Sequence, residues 1–248
     1  MDVICDTNIW YDLGSGLIKP KEYKNCKLWS TYLSIDELSR SDKLLDDKLI
    51  ENVRLSIQKM IVNQNVIYEP PFFRLLVESI PDYNYDIIAN DFNILDFTKS
   101  IASNKQLTQD DKQKLRDYIA FRKDRLLKGS EYFTKLIADF KDCFKDKSIL
   151  KKTRNTKISR DFISFIVKSI TNEDLPENFD WTTVELFEKT LDYYFFKLET
   201  TSMKIKKNDW YDLAFLVYVR PGQKIWTKDK RLKALIKEAG LIDYLYDK

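Results

Sequence analysis

Val3-Ile4-Cys5-Asp6-Thr7-Asn8 carries the clearest fold signal in the sequence. Three apolar or small residues run straight into an acid, a hydroxyl and an amide. That pattern predicts a buried parallel strand over residues 2–6 that ends at an exposed polar turn. In open α/β sheets, ligands sit just beyond the carboxyl ends of the strands. Asp6 is therefore expected where chemistry happens.

Working outward, Leu28–Ser34 predicts a second strand, rich in aromatic and hydroxyl types. Ser34 then reads as an N-cap, with Glu37 at capping-box spacing. Apolar residues at helical spacing predict a helix over 46–63, followed by a strand at Val66–Tyr68 that Pro70-Pro71 ends. From Phe72 to about Lys207 the pattern is almost wholly helical, with helices expected at 72–79, 84–103, 108–127, 130–145, 158–170 and 181–199. The end returns to α/β character. A helix is expected over Asp209–Tyr218, a strand over Lys224–Thr227, a helix over Asp229–Ala239 closed by Gly240, and a last strand over Leu241–Tyr246. The fold class expected is α/β, with a central parallel sheet flanked by helices. Its core would be 1–71 and 205–248, interrupted by a helical insertion or subdomain at 72–204.

The 248 residues are 44% hydrophobic, 14% aromatic and 33% charged, with 5 glycines and 6 prolines, which favours helices with solvated faces over a sandwich or a disordered chain. No secretory signal and no membrane helix are expected, and the three widely spaced cysteines suit a reducing cytoplasm better than a zinc site. The count of histidines is 0, which excludes imidazole bases, His-ligated metals and phosphohistidine. Net charge is +3, but the cations cluster. Residues 145–160 carry seven basic side chains against Asp146, and 224–233 carry five against Asp229. Clustered positive charge on a near-neutral chain suits a phosphate backbone, although either run also reads as a solvated face.

Acids fall where strands meet helices. Asp6 ends the first strand, Asp36 and Glu37 follow the second, Asp209 and Asp212 share a face at a helix start, and Asp229 follows the strand before it. Carboxylates brought together in this way need a cation, and oxygen ligands suit Mg²⁺ or Mn²⁺. Such a site activates water and stabilises charge on a phosphodiester. Each acid also has a plainer role. Asp209 reads first as an N-cap, Asp229 could cap its helix, Glu37 could complete the capping box, and Asp36 is expected in solvent or behind the site. Asp6 resists such a role, because a cap there would more naturally fall to Thr7 or Asn8.

Taken with Tyr32-Leu-Ser-Ile-Asp-Glu37-Leu38, Asp209-Trp-Tyr-Asp212-Leu-Ala-Phe-Leu and Ile225-Trp-Thr227-Lys-Asp229-Lys-Arg-Leu, the opening stretch resembles the PIN-domain family of metal-dependent nucleases. The resemblance covers roughly residues 1–68 and 205–246. It implies a three-layer PIN-like fold. It also implies catalytic and metal-holding roles for Asp6, Glu37, Asp212 and Asp229, with Mg²⁺ or Mn²⁺ as cofactor. Thr7, Asn8, Asp36, Asp209 and Thr227 would support them through hydrogen bonds. Lys151, Lys152, Arg154 and Lys157 of the insertion, with Lys228, Lys230 and Arg231, would hold nucleic acid. The function implied is an endoribonuclease acting on single-stranded or structured RNA in the cytoplasm. A toxin-like role with a protein inhibitor or antitoxin, and a homodimer, are compatible with it, although the insertion departs from the small bacterial toxins. The alternatives are a catalytically silent RNA- or protein-binding scaffold and a DNA nuclease of 5′-nuclease type. A phosphatase using Asp6 as nucleophile would want an acid where Asn8 stands.

Overall fold

The computed structural model describes residues 1–86, 96, 98–103, 108–143, 156–206 and 208–247, with backbone alone at 139–143 and 156–157. The chain is α/β, built on a four-stranded parallel sheet. Strand β1 (Asp2–Cys5) is followed by α1 (Thr7–Gly14), β2 (Lys27–Thr31), α2 (Tyr32–Ser39), α3 (Ile50–Asn63), β3 (Val66–Ile67) and α4 (Pro71–Ser79). The helices α5 (Gln109–Cys143), α6 (Thr156–Thr171) and α7 (Glu185–Thr200) come next, then α8 (Asp209–Phe215), β4 (Lys224–Trp226) and α9 (Lys230–Glu238).

The spatial order is β3-β2-β1-β4. The chain winds outward from β1 through β2 to β3, then returns to lay β4 on the other side of β1. That reversal makes the gap between the carboxyl ends of β1 and β4 the topological switch point, where α/β sheets bind ligands. Val3, Ile4 and Cys5 are fully buried, as a strand covered on both faces requires. Trp10 lies beneath them, donating from its indole to the Cys5 carbonyl at 3.2 Å.

Helix α1 packs against α3 at Gly14, where a Cβ would stand 2.6 Å from the Ser56 backbone nitrogen. Ile50, Val53, Ile57 and Met60 form the buried stripe of α3 at helical spacing. One hydrophobic core joins the sheet residues to Phe133, Phe162, Phe187 and Tyr194 of the helices between β3 and β4. No described helix is long and apolar enough to cross a membrane.

Several expected boundaries move, each for a local reason. The second strand stops at Thr31, whose Oγ1 accepts from the Ser34 amide at 3.3 Å and caps α2 three residues earlier than expected. Helix α3 starts at Ile50 and not at 46, because Asp46 folds an Asx turn onto the Lys48 amide at 2.8 Å. The helices expected at 108–127 and 130–145 are one helix of 35 residues. Gly129 does not break it, because Phe133, Leu136 and Ile137 extend the buried face begun by Leu115 and Ile119. The last expected strand is instead a 3-10 turn at Ile242–Tyr244, with only an isolated parallel bridge from Leu245 to Ile225. Half of the helix expected at 84–103 lies outside the described residues; 84–86 are not helical, and 98–102 are.

Candidate active site

The β1 ladder runs to its very end, since the Asp6 amide still donates to the Trp226 carbonyl of β4 at 3.0 Å. Asp6 is extended and caps α1, its Oδ1 accepting from the Thr7 amide at 2.7 Å. This corrects the expectation that Thr7 or Asn8 would cap. Thr7 is already inside the helix, and Asn8 has another task. Its amide nitrogen donates to Asp6 Oδ2 at 2.6 Å, and its oxygen accepts from the Lys228 amide at 3.1 Å. Thr227 completes the link by donating to the same Oδ2 at 2.6 Å while accepting from the Asp229 amide at 3.0 Å. Three polar side chains thus lock the turn after β1 to the turn after β4.

Asp229 caps α9, with Oδ1 accepting from the Leu232 amide at 2.7 Å. Among the described residues its Oδ2 has no hydrogen-bond partner. Glu37 is exposed on α2 and takes no part in a capping box, because the cap lies at Thr31 and Ser34 is turned to the Cys5 carbonyl at 3.3 Å. The Asp212 carboxylate, on α8, has no hydrogen-bond or ion-pair partner among the described residues. Asp6, Glu37, Asp209, Asp212 and Asp229 line one cleft of about 630 Å³, together with Asn8, Tyr11, Lys206, Asn208 and Arg231.

The electrostatics follow from that crowding. Burial pushes the Asp212 carboxyl up to about 7, with Asp229, Asp6, Asp209 and Glu37 adding to the rise. Burial likewise pushes Asp6 up to about 6, opposed by the hydrogen bond from Thr227 and reinforced by Glu37.

Two expected roles are corrected. Asp209 is not the N-cap of α8; Asn208 holds that position. Asp209 is 5% exposed, and its Oδ2 accepts from the Tyr194 hydroxyl at 2.7 Å, the Lys206 amide at 2.8 Å and Arg231 at 2.9 Å. Asp36 is not in solvent. It is 4% exposed, does not line the cleft, and is held by Arg40 at 3.1 Å and by Arg122 of α5. Arg122 was missed in the sequence, yet it left a signal: a cation on the same stripe as Leu115, Ile119 and Phe133 requires a buried acid.

Among the expected cations, Arg231 lines the cleft, and its buried Nη1 has no hydrogen-bond partner among the described residues. Lys228 pairs with Asp12. Lys230 is exposed, with no acid partner among the described residues. Lys151, Lys152 and Arg154 lie outside the described residues, and Lys157 is described in its backbone only. Lys206, at the cleft, was not anticipated.

The all-oxygen donor set is that of a hard divalent cation. Among the described residues no three acids or cysteines stand in ligating geometry around one point, so a cation would have to draw the carboxylates inward. Glu37 and Asp212 have no side-chain hydrogen bonds to lose among the described residues. Compared with known proteins, the chain matches no family model, no curated protein and no solved structure.

Proposed function

We propose that the chain is a metal-dependent nuclease, most simply an endoribonuclease, with a PIN-like core at 1–71 and 205–248 and a helical insertion at 72–204. The observation that carries this reading is the convergence of Asp6, Glu37, Asp212 and Asp229 on one cleft at the switch point of a parallel sheet. Burial, with the neighbouring acids adding to it, raises the carboxyls of Asp6 and Asp212 to about 6 and about 7. Mg²⁺ or Mn²⁺ held by these four would neutralise them, activate a water and offset charge on a phosphodiester. Asn8 and Thr227 would keep Asp6 in one orientation. Arg231, through its Nη1, and Lys206 are placed to donate to a phosphate oxygen.

The test is cleavage of labelled single-stranded RNA, with a matched DNA strand, in Mn²⁺, Mg²⁺ or EDTA, by wild type and Asp212→Asn. Metal-dependent cutting is expected, reduced roughly 100-fold or more in the variant. No cutting of either strand and no metal binding by calorimetry would end the reading. Preferential cutting of DNA would move it to a DNA nuclease. The absence of a ligating trio among the described residues favours one rival, a catalytically silent RNA- or protein-binding scaffold. It predicts RNA binding indifferent to divalent ions.

A further inference from the structure

An acidic cleft repels a polyanion, so a nucleic acid must be held at the rim by something else. Three aromatic rings each carry a cation, and one of them, Tyr11, lines that cleft. Lys43 Nζ lies 3.9 Å from the ring centre of Tyr11, which lines the cleft. Arg40 lies 5.2 Å from the ring of Tyr211, the residue before Asp212. Arg125 of α5 lies 5.9 Å from the ring of Phe121. Helix α5 lies beside the elements that carry Arg40 and Lys43: Arg122 bonds Asp36 of α2, and Lys123 pairs with Asp42. Tyr11 donates from its hydroxyl to Ser41, the residue between Arg40 and Asp42, at 3.0 Å.

The pattern continues along α5. Phe121, Arg125, Lys128 and Tyr132 follow one another at i, i+4, i+7 and i+11, on one face of the helix. Phe121 is 56% and Tyr132 44% exposed. The two rings are ~16 Å apart along the axis, a span of a few nucleotides. Lys128 is paired with Asp124. Arg125, Lys43, Lys206 and Lys230 have no acid partner among the described residues.

We propose that the exposed rings of Phe121 and Tyr132, with the cations Arg125 and Lys43 between them and Tyr11 at the cleft, form a rail that docks an unpaired RNA strand by stacking its bases. The inference rests on the nuclease reading and names the strand state that reading leaves open. A duplex hides its base faces and offers only phosphate, which the cations alone would hold. A single strand presents a π-face at every base, and rings alternating with cations are how such strands are bound without regard to sequence.

The probe is an unstructured, fluorescein-labelled RNA of about 12 nucleotides, and the same RNA as a perfect duplex, titrated by anisotropy with the full chain in EDTA. The strand is expected to bind more tightly than the duplex. Phe121→Leu, which keeps an apolar side chain but removes the ring, should weaken strand binding roughly tenfold and leave its salt slope unchanged. Phe121→Trp should restore it. Arg125→Ala should weaken it and lower the salt slope by about one. Duplex binding as tight as the strand, or a Phe121→Leu Kd within about twofold of wild type at unchanged Tm, would overturn the rail. The two readings fail separately. Ring-dependent strand binding without metal-dependent cleavage sinks the nuclease alone, and cleavage with a Kd indifferent to Phe121 sinks the rail alone.

Discussion

The absence of histidine opens an experiment that most proteins do not permit. Between pH 5 and 8 the usual titrating side chain is missing, so Asp6 and Asp212 dominate the window. Burial and neighbouring acids hold the Asp212 carboxyl at about 7 against an ordinary 3.8, and Asp6 at about 6. In that window the folded chain binds more protons than the unfolded chain, so metal-free stability falls as pH rises. For Asp212 alone the full shift corresponds to about 4 kcal/mol, of which the part between pH 5 and 7 is about 3 kcal/mol, reduced to about 1–3 kcal/mol because the carboxyl is partly in solvent. For a chain of this size that is a fall of about 2–10 °C in Tm. Carboxyls held below their ordinary range, such as Glu185, Glu238 and Asp247, act in the opposite sense, but their effect lies below the window. The assay is thermal unfolding in EDTA at half-unit steps of pH. Wild type should lose stability from pH 5 to about 7 and then level off. Asp212→Asn should keep only the shallower fall owed to Asp6 and be the more stable protein at pH 8. A flat or rising wild-type Tm, or parallel curves for the two proteins, would refute the reasoning. Mn²⁺ at pH 8 should raise the Tm of wild type more than that of the variant.

Three further outcomes follow from local geometry. Gly14→Ala would push a Cβ to 2.6 Å from the Ser56 backbone, which cannot yield as a flexible side chain would, so α1 and α3 must part, at a cost of about 1–3 kcal/mol by urea unfolding. Arg122→Met keeps the volume but leaves the buried Asp36 with Arg40 as its remaining cation, and should destabilise the fold by about 2–4 kcal/mol; Asp36→Asn in the same background should recover part of that loss. Thr227→Val removes a donor from Asp6 and an acceptor from the Asp229 amide at constant shape; it should cost about 1–2 kcal/mol and raise the Asp6 pKa, read by carboxyl NMR titration.

What was legible in the sequence was whatever is written locally. The strand at Val3–Cys5, the buried stripe of α3 and the Gly240 closure are short-range patterns, and they stand. The acids at strand ends were legible because a parallel sheet gathers its carboxyl ends. Long-range partners were not. Asp36 meets Arg122 across 86 positions, and Asp209 meets Arg231 across 22. Only the oddity of a cation on an apolar stripe hinted at the first pair. The break expected between 127 and 130 fails for the same reason in reverse: the apolar face of α5 continues through it.

The choice posed between cap and ligand dissolves once individual oxygens are followed. Asp229 caps α9 with Oδ1 and leaves Oδ2 to the cleft; Asp6 caps α1 with Oδ1 and takes both side-chain donors on Oδ2. A helix N-terminus is also the electropositive end, so a capping acid at a strand end is partly neutralised by the fold itself. Capping is therefore how these two carboxylates can be assembled at all. Asp212 sits within its helix, caps nothing, and has no donor among the described residues. That difference orders the two raised carboxyls: burial bears on both, but only Asp6 has donors to oppose it, so Asp6 stops at about 6 and Asp212 reaches about 7. The acid the fold compensates least is the one a bound cation would stabilise most, which is why Asp212 is the residue to change first.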